Sequence, residues 1–384
     1  MLDTDPIAPL FPGDLASAAV RAISPYLPGK PVSELQRELG LEGIVKLASN
    51  ENPLGPSPRA LQAMRAALAE SWVYPDGSGY ALKQTLEAEL AVPAGCLTLG
   101  NGSNDVLVLL AEAFLTPASE AVYSQYAFAV YAIAVQATGA KAIVVPALAE
   151  DHPIMPLGHD LDAMQVAITP RTRLVFIANP NNPTGTWLTA AALRRFLRAV
   201  PTTTLVVLDE AYFEYGLGQD LGDGLAWLKE FPQLVVVRTF SKAYGLAGLR
   251  LGFAAAHASV TDVLNRLRQT FNVNLLALAA GVEALKDRAH LQQVRQCVAA
   301  GMRQWRQALP ELKLKALPSA GNFLLLRVGP QAARVYEGML RRGVIVRPVP
   351  NYGLPDWLRI TIGTEPQNQR AIAALAAALC EIAP

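Results

Sequence analysis

The chain has 384 residues, of which 52% are hydrophobic, and this length is enough for two domains that each bury a core. Lysine and arginine number 33 against 32 aspartate and glutamate residues, which leaves a formal net charge of +1. This balance argues against a surface that coats a polyanion, so nucleic acid is not an expected partner.

Cysteine and histidine are scattered along the chain. Cys96, Cys297 and Cys380 are odd in number and lack CxxC spacing, which favours a reducing compartment over a disulfide framework. The 4 histidines show no metal-ligand spacing, so no metal is expected. The start of the chain lacks the basic and apolar regions of a signal peptide, and no apolar run reaches the roughly 18 residues that span a bilayer. We therefore expect a cytoplasmic protein without a membrane partner.

Proline-rich segments open the chain. Residues 1–14 are rich in proline and aspartate and are expected to form a tail or an arm. The loop SPYLPGKP, which contains Tyr26, has too much proline for a helix, and a short helix is predicted after it at Val32–Gly40. The loop KLASNENPLG contains Asn52, and its small, amide and proline residues predict defined turns without a strand ladder.

A predicted helix at Pro58–Ser71 leads to the turn VYPDG, which contains Tyr74, and short apolar runs then alternate with helical patterns. Such alternation predicts an α/β domain with a mostly parallel, seven-stranded sheet flanked by helices. The predicted strands are Cys96–Leu99, Glu120–Ser124, Lys141–Val145, Arg173–Ala178, Leu205–Leu208, Leu234–Arg238 and Leu251–Ala256, with helices at Ser103–Phe114, Ala127–Thr138 and Thr189–Val200.

Polar turns follow several of these strands, at the edge where open α/β sheets bind ligands. The turn GNGSND, with Ser103 and Asn104, opens a helix whose free amides and positive dipole end suit an anion. Asn182 lies in the turn NPNNPTG, and Asp209 and Tyr212 follow the next strand. A carboxylate buried at such a place needs a cationic partner.

The segment TFSKAYGLAGLR contains several candidate functional residues close together. Thr239, Ser241 and Lys242 follow a buried strand, and Arg250 comes just before the next one. Arginine suits a phosphate, whereas a buried lysine is costly unless its charge is paired or its amine reacts, for example as a Schiff base. These side chains are expected to converge on one anionic ligand.

The last third of the chain predicts a smaller α+β domain that also contains Asn322, Arg347 and Arg359. From the residues alone, these arginines fit structural ion pairs as well as a binding site. The predicted elements are the helices Lys286–Leu309, Gln331–Arg342 and Pro366–Ile382 and the strands Asn322–Val328, Val344–Val349 and Leu358–Ile362. We expect residues 15–47 and 280–384 to form this small domain and residues 48–279 the large one.

The motifs S-P-Y-L-P-G-K-P, S-N-E-N-P-L-G, Y-P-D, N-P-T-G, D-E-A-Y and S-K-A-Y-G-L-A-G-L-R occur in one order. This order resembles that of the fold type I, class II pyridoxal-phosphate aminotransferases. The first two motifs resemble the opening of the histidinol-phosphate aminotransferase branch. The resemblance covers about Ser24 to Thr364 and implies pyridoxal 5'-phosphate as cofactor, small-molecule amino donors and oxo acceptors as substrates, and a homodimer.

The resemblance also implies a role for each motif residue. Lys242 would join the cofactor covalently and act as the catalytic base. Phe128, which periodicity alone makes a core aromatic, would stack on the cofactor ring. The other cofactor-binding residues would be Ser103, Asn104, Asn182, Asp209, Tyr212, Thr239, Ser241 and Arg250, with Tyr74 from the partner subunit, and the substrate-binding residues would be Tyr26, Asn52, Asn322, Arg347 and Arg359.

The chain departs from the family at three motif positions. Val73 stands where many relatives carry arginine, Asn104 where they often carry aspartate, and Phe128 where they commonly carry tyrosine. The implied reaction exchanges an amino group between histidinol phosphate and glutamate, through their oxo forms, in histidine biosynthesis. Two alternatives stay open in the same fold: an aromatic amino acid aminotransferase and a threonine-phosphate decarboxylase of the cobalamin pathway. A cofactor-binding regulator is disfavoured because no DNA-binding segment is visible.

Overall fold

The computed structural model of the chain describes residues 12–26, 28–216 and 218–382. Most of the expected N-terminal tail therefore lies outside the described residues. The strands are β1 (Val45–Lys46), β2 (Leu97–Gly100), β3 (Glu120–Ser124), β4 (Lys141–Val145), β5 (Thr172–Ala178), β6 (Leu205–Asp209), β7 (Leu234–Thr239), β8 (Gly252–Ala256), β9 (Lys315–Ala316), β10 (Phe323–Arg327), β11 (Val344–Ile345), β12 (Arg347–Val349) and β13 (Leu354–Thr361).

Helices cover much of the remaining chain, and short 3-10 turns join some of them. The helices are α1 (Ala18–Arg21), α2 (Val32–Leu39), α3 (Pro58–Ala67), α4 (Tyr80–Leu90), α5 (Ser103–Phe114), α6 (Ala129–Ala137), α7 (Leu161–Val166), α8 (Ala190–Ala199), α9 (Gly224–Trp227), α10 (Ala258–Leu267), α11 (Leu275–Lys286), α12 (Arg288–Ala308), α13 (Ala332–Arg341) and α14 (Glu365–Ile382). The 3-10 turns are Pro12–Leu15, Leu68–Glu70, Phe213–Tyr215, Ala247–Leu249 and Pro350–Tyr352.

Within the described residues, a 7-stranded sheet has the strand order β2-β8-β7-β6-β5-β3-β4. Its neighbouring strands are parallel except that β8 runs antiparallel to both β2 and β7. The mostly parallel sheet that the sequence predicts is thus confirmed, and the predicted strand ends lie close to the observed ones. The reason is burial on both faces, which makes each strand a continuous apolar run.

Successive residues along the strands of the large sheet contribute alternately to two hydrophobic cores. On β6, Val206 and Leu208 belong to the core shared with α8 and α11, whereas Val207 belongs to the core shared with α5, α6 and α10. Successive side chains of a strand point to opposite faces, so both faces of this sheet are covered by helices. The helix predicted from Ala127 begins at Ala129 in the structure, because Phe128 has non-helical dihedral angles and is the N-cap of α6.

A second part of the chain surrounds a separate core. β12, β13, β10 and β9 form a 4-stranded antiparallel sheet in this order, and α12, α13 and α14 pack with it. The prediction of a single strand at Val344–Val349 is wrong. The segment divides into β11, which pairs with β1, and β12, which pairs with β13. Pro348 lacks an N–H group and is tolerated because β12 lies at a sheet edge.

The division into two domains remains a proposal, and we propose a different position for one of its boundaries. The boundary expected at residue 280 falls inside α11, whose Ala277, Ala280 and Ala284 are buried in the large-sheet core. The next helix, α12, contributes Val298 and Trp305 to the other core. We therefore propose that the small domain begins at α12. Over the described ranges, no helix combines the length and apolarity needed to cross a membrane.

Candidate active site

A cavity of about 240 Å³ lies where the parallel strands β5, β6 and β7 end. We call the side formed by the strand ends, Phe128 and the start of α5 the sheet wall. We call the opposite side, formed by Ala48–Asn50 with Tyr26, Arg347 and Arg359, the loop wall. The predicted site residues that line the cavity are Tyr26, Ser103, Asn104, Phe128, Asn182, Asp209, Tyr212, Thr239, Ser241, Lys242, Arg250, Arg347 and Arg359.

One end of the cavity is suited to a phosphate group. Arg250 Nη1 donates a hydrogen bond to Ser241 Oγ at 3.3 Å, and the Ser241 amide donates to Thr239 Oγ1 at 3.1 Å. Helix α5 begins at Ser103, directly after Gly102, which has a φ of 89° and supplies no capping side chain. A Cβ atom at Gly102 would clash with the Arg250 guanidinium, so glycine allows this arginine to cover the turn. Free amides at a helix start, hydroxyl groups and a guanidinium together favour a phosphate.

Lys242 belongs to the sheet wall, and its amine extends into the space between the two walls. Its Nζ donates a hydrogen bond to the Ser49 carbonyl oxygen at 2.9 Å and lies 5.7 Å from the centroid of the Tyr212 ring. Burial, followed by the positive charges of Arg359 and Arg250, lowers the pKa of this amine to about 7. Near neutral pH a large fraction of such amines is uncharged, so Lys242 is able to accept a proton.

Asp209 presents a buried carboxylate at the end of β6. The Tyr131 hydroxyl donates to its Oδ2 at 2.8 Å, and the Ala211 amide donates to its Oδ1 at 3.2 Å. Burial raises the pKa of Asp209 to about 6, although both hydrogen bonds act in the opposite direction. The neighbouring acid, Glu210, instead forms an ion pair of 2.7 Å with the buried Arg238. Of these two acids, Asp209 is the one that lines the cavity.

The middle of the cavity combines an aromatic ring with two polar side chains. Phe128 is fixed at the start of α6, where its ring lines the cavity. Asn50 Nδ2 donates to the Tyr212 hydroxyl at 3.0 Å, and Arg359 donates to the amide oxygen of Asn182. Burial raises the pKa of Tyr212 to about 12, so the hydroxyl keeps its proton at neutral pH. These groups suit a flat ring that carries an oxygen substituent.

Two arginines of the loop wall lie on adjacent strands, since Arg347 of β12 is the register partner of Arg359 of β13. They are 8% and 7% exposed, respectively, so two guanidinium groups are buried near each other. Arg359 Nη2 donates to the Ala48 carbonyl oxygen at 2.7 Å, while its buried Nε has no hydrogen-bond partner among the described residues. The Arg347 guanidinium lies 5.7 Å from the centroid of the Tyr26 ring. Neighbouring buried cations favour an anionic substrate group here.

Residues Leu47–Glu51, which we call the carbonyl segment, connect the two walls through the backbone. Their oxygens accept hydrogen bonds from residues that are distant in sequence. In chain order, Leu47 O accepts from the Thr361 amide at 2.9 Å, Ala48 O from Arg359 at 2.7 Å, Ser49 O from Lys242 at 2.9 Å, and Asn50 O and Glu51 O from Asn322 Nδ2 at 3.1 and 3.3 Å. The segment therefore fixes the distance between the small sheet and Lys242.

Asn52 and Asn322 do not line the cavity, although both were expected to bind substrate. Asn52 Nδ2 donates to the carbonyl oxygens of Gly55 and Ala243, both at 3.0 Å. Asn322 is fully buried and donates to the carbonyl segment. Their Nδ2 groups thus help to shape the loop wall, and the prediction that these two residues bind substrate stays a prediction.

Tyr74 also lies outside the cavity of its own chain. Its side chain is 81% exposed, and its ring stacks on that of Phe271 with a centroid distance of 4.7 Å. The prediction that Tyr74 reaches the cofactor of a partner subunit stays a prediction.

Three residues of the site were not singled out from the sequence as functional. Ser49 supplies the acceptor for Lys242, Asn50 donates to Tyr212, and Tyr131 donates to Asp209. Asn50 lies inside a loop whose composition predicts defined turns, and Tyr131 is three positions after Phe128. Their contacts connect residues far apart in sequence, so composition and spacing gave no direct signal for them.

Pyridoxal phosphate, the cofactor that the motifs imply, fits the residues of this cavity. The phosphate end lies at Arg250 and the start of α5, and the reactive amine of Lys242 lies between the walls. Asp209 offers a carboxylate that forms no ion pair within the described part of the chain, which suits a protonated ring nitrogen. Phe128 offers an aromatic face to the ring. All predicted cofactor-binding residues line this cavity, except Tyr74, which was expected to act from the partner subunit.

A sequence profile described as aminotransferase class I and II matches residues 42–375. The chain therefore belongs to the class I and II aminotransferases. Among its relatives, histidinol-phosphate aminotransferase 2 of Pseudomonas fluorescens strain Pf0-1 is 57% identical over 94% of this chain and 96% of the relative. Histidinol-phosphate aminotransferase 1 of Cupriavidus pinatubonensis is 56% identical over 94% of this chain and 95% of its own length.

Solved structures give the same result for the fold. The structure of histidinol-phosphate aminotransferase from Sinorhizobium meliloti in complex with pyridoxal-5'-phosphate superimposes with a TM-score of 0.86 at 28% identity, covering 96% of this chain and 98% of that one. A mutant aspartate aminotransferase from Thermus thermophilus superimposes with a TM-score of 0.80 at 24% identity, covering 94% of this chain and 99% of that one, and supports the fold alone.

Proposed function

We propose that the chain is a pyridoxal-phosphate aminotransferase that exchanges an amino group between histidinol phosphate and 2-oxoglutarate, giving imidazole acetol phosphate and glutamate, in histidine biosynthesis. The observation that carries the proposal is the position of Lys242 between a phosphate-binding end and two buried arginines. The relatives named histidinol-phosphate aminotransferases support the choice of substrate, because they match nearly the whole chain at more than half of the aligned positions.

When bound, pyridoxal phosphate supplies an electron sink for the negative charge that develops at the α-carbon of the substrate. The sheet wall holds and orients it. Arg250, Ser241 and the start of α5 would hold the phosphate, and the carboxylate of Asp209 would pair with the ring nitrogen. Phe128 would pack against the ring face, while Asn182 and Tyr212, which also line the cavity, would donate hydrogen bonds to the ring oxygen.

Lys242 performs the proton transfer. Its Nζ lies close to the Ser49 carbonyl oxygen, which holds the amine in place by accepting one of its hydrogens. Because burial lowers the pKa of Lys242 to about 7, the amine is able to take a proton from the α-carbon and to return it in the same site. An ordinary surface lysine would be protonated and unable to act as a base.

The loop wall selects the substrate by charge. Arg359 is buried and has a free Nε among the described residues, and Arg347 lies on the adjacent strand. The phosphate of histidinol phosphate and the side-chain carboxylate of glutamate are both anions, so the same pair of arginines serves both halves of the exchange. This double use accounts for two guanidinium groups at one end of a small cavity.

We propose further that two copies form a homodimer in the cytoplasm. Trp72, Tyr74 and Tyr80 are 84%, 81% and 67% exposed, which is unusual for aromatic side chains grouped on one segment. Arg250 is also exposed, so the phosphate end of the cavity is open to a second copy. Light scattering should give the mass of a dimer, and Tyr74→Phe should weaken cofactor retention. A monomer that retains the cofactor fully would contradict this arrangement.

Single-turnover absorbance tests the reaction. Purified protein loaded with pyridoxal phosphate is mixed separately with histidinol phosphate, glutamate, phenylalanine or threonine phosphate, and the cofactor band is followed. We expect histidinol phosphate and glutamate to convert the bound cofactor to its amine form rapidly, and phenylalanine to do so weakly. The amine form should return to the starting spectrum when 2-oxoglutarate is added.

The other outcomes of this experiment separate the alternatives. A fast response to phenylalanine would move the assignment to the aromatic amino acid aminotransferases. Release of carbon dioxide from threonine phosphate, without conversion of the cofactor to its amine form, would indicate the decarboxylase. If the wild-type chain retained no absorbing cofactor, the proposed function would fail at its first step.

A further inference from the structure

Tyr131 lies next to the cavity without lining it. It occupies the third position of α6, is fully buried, and donates its hydroxyl hydrogen to Asp209 Oδ2 at 2.8 Å. The distance fits a strong hydrogen bond, since the acceptor is a buried carboxylate. Nothing in the proton transfer at Lys242 uses this hydroxyl, so its role needs a separate explanation.

Aromatic rings hold Tyr131 in one orientation. Its ring stacks on Phe176 at a centroid distance of 4.8 Å and an interplanar angle of 14°. The Phe128 ring meets it edge to face at 6.0 Å and 89°, and the Tyr123 ring does so at 6.5 Å and 62°. Rotation of the Tyr131 ring would break several of these contacts at once, so the direction of the hydroxyl is fixed by packing.

Asp209 differs from the neighbouring acid, Glu210, in having no ion-pair partner among the described residues. Glu210 is neutralised by Arg238, which lies at 2.7 Å and is itself 4% exposed. Within the described residues, Asp209 forms no ion pair and has two hydrogen-bond donors, the Ala211 amide and the Tyr131 hydroxyl. The Ala211 amide belongs to the backbone, so this donor does not depend on which side chain is present. Among the described residues, the Tyr131 hydroxyl is therefore the one side-chain group that donates a hydrogen bond to Asp209, and with the charge of Lys242 it favours the ionised carboxylate before a ligand arrives.

We propose that Tyr131 is a positioning residue that keeps Asp209 ionised and aims its carboxylate at the ring nitrogen of the cofactor. This inference rests on the proposed function, because it assumes that a protonated pyridine ring binds at Asp209. Tyr131 also contacts Phe128, so one side chain sets the position of both the acid and the aromatic face that enclose the ring.

The pH dependence follows from the groups around Asp209. Lys242 faces it from the turn after β7, and Tyr131 faces it from α6. Tyr212, after β6, and Tyr352, after β12, lie near Tyr131, and Arg359 lies near Tyr212. Burial raises the pKa of Asp209 to about 6, and the Tyr131 hydrogen bond opposes that rise. Loss of the hydroxyl therefore raises this pKa further, so the carboxylate is protonated at a higher pH.

The experiment measures the dissociation constant of pyridoxal phosphate for the full-length chain, by fluorescence quenching, at pH values on both sides of about 6. For Tyr131→Phe we expect the constant to rise about tenfold or more at neutral pH, as expected for losing a hydrogen bond to a charged group. The pH at which affinity falls by half should also move upward relative to the wild type. Thermal unfolding of each chain without cofactor checks that the variants fold.

Tyr123→Phe is the matched control. Tyr123 is a buried tyrosine of β3 whose ring contacts the Tyr131 ring. The substitution also removes one hydroxyl, but it should leave the dissociation constant within about twofold of the wild-type value. Asp209→Asn tests the route of action, because Tyr131→Phe should add little once the carboxylate is gone. Tyr131→Met, a flexible apolar replacement, is the second hydroxyl-free variant if Tyr131→Phe does not fold.

The results separate this inference from the proposed function. An unchanged pH midpoint in a folded hydroxyl-free variant would overturn the role of Tyr131, and so would a loss of affinity that is equally large in the Asp209→Asn background. If the wild-type chain itself failed to bind pyridoxal phosphate, the proposed function would be wrong.

Discussion

The sheet wall and the loop wall of the cavity differ in how they are built. The functional residues of the sheet wall lie at or near the ends of buried strands and helices: Asp209, for example, ends β6, and Lys242 lies in the turn after β7. The loop wall depends on side chains that bridge distant parts of the chain, such as Arg359 to Ala48 and Asn50 to Tyr212. The sheet wall is thus fixed by local chain geometry and the loop wall by tertiary contacts.

This difference assigns separate tasks to the two walls. A wall supported by a sheet holds its groups within narrow limits, as proton transfer and cofactor binding require. The loop wall, whose Arg359 is held by the carbonyl segment, carries the two buried positive charges that we expect to bind the anionic groups of the substrates. Changes to the sheet wall should therefore affect the chemical step, and changes to the loop wall should mainly affect substrate affinity.

The largest expected effect is that of Lys242→Ala in the sheet wall. Loss of the base should lower kcat by about 10⁴-fold, the upper range for general acid–base catalysis, with a smaller change in substrate affinity. Steady-state rates with histidinol phosphate and 2-oxoglutarate measure the effect. Lys83→Ala on α4, outside the cavity, should keep the wild-type rate. A Lys242→Ala chain with near-normal kcat would remove the catalytic role.

Arg359→Lys in the loop wall should have the next largest effect. Lysine keeps the charge but lacks the planar fork, so kcat/KM should fall about a hundredfold, mostly through KM, for histidinol phosphate and glutamate alike. Initial rates over a range of each substrate measure it, and Arg341→Lys on the exposed face of α13 is the control. A loss restricted to kcat would contradict the division of tasks between the walls.

The pKa of Lys242 predicts a change of about tenfold with pH in the rate at which the chain captures pyridoxal phosphate. Its free amine has a pKa lowered from 10.5 to about 7, so the reactive neutral fraction grows as the pH rises through 7 and changes little above it. The rate of pyridoxal phosphate capture by the apo chain should follow the same curve. Stopped-flow absorbance measures this rate, and a rate that kept rising toward the ordinary lysine pKa would show that burial does not depress it.

The smallest expected effect is that of Asn50→Gly, which tests the connection between the walls. Asn50 has a φ of 55°, which glycine adopts without strain, so the variant removes mainly the bonds to Tyr212 and Thr361. We expect the free energy of unfolding to fall by about 1–3 kcal/mol, as measured by urea denaturation. Thr361→Val removes part of the same contact, and its effect should not add fully to that of Asn50→Gly.

The sequence predicts the sheet wall better than the loop wall. Continuous apolar runs locate β2 to β8, and the polar residues that follow several of these runs are then expected at the ligand edge of the sheet. This reasoning predicts that Asp209, Thr239 and Lys242 share one site, and all three line the cavity. Local patterns suffice there because the chemistry is adjacent in sequence to the strands that position it.

The remaining contacts depend on packing between distant residues. The division of the Val344–Val349 segment between two sheets reflects which partner strand each half meets, and its own residues do not reveal this. Asn52 and Asn322 have suitable chemistry for substrate binding, but their amides are used by backbone oxygens. The hydrogen bond from Tyr131 to Asp209 joins a helix to a strand end 78 positions away.

The carbonyl segment has a consequence for how this region tolerates mutation. Its contacts to Arg359 and Lys242 are made by the backbone oxygens of Ala48 and Ser49, which every amino acid possesses. Substitutions that preserve the backbone path therefore keep these contacts, whatever the new side chain. Removal of one residue would instead shift each later oxygen to the wrong donor, so the length of Leu47–Glu51 should be more restricted than its composition.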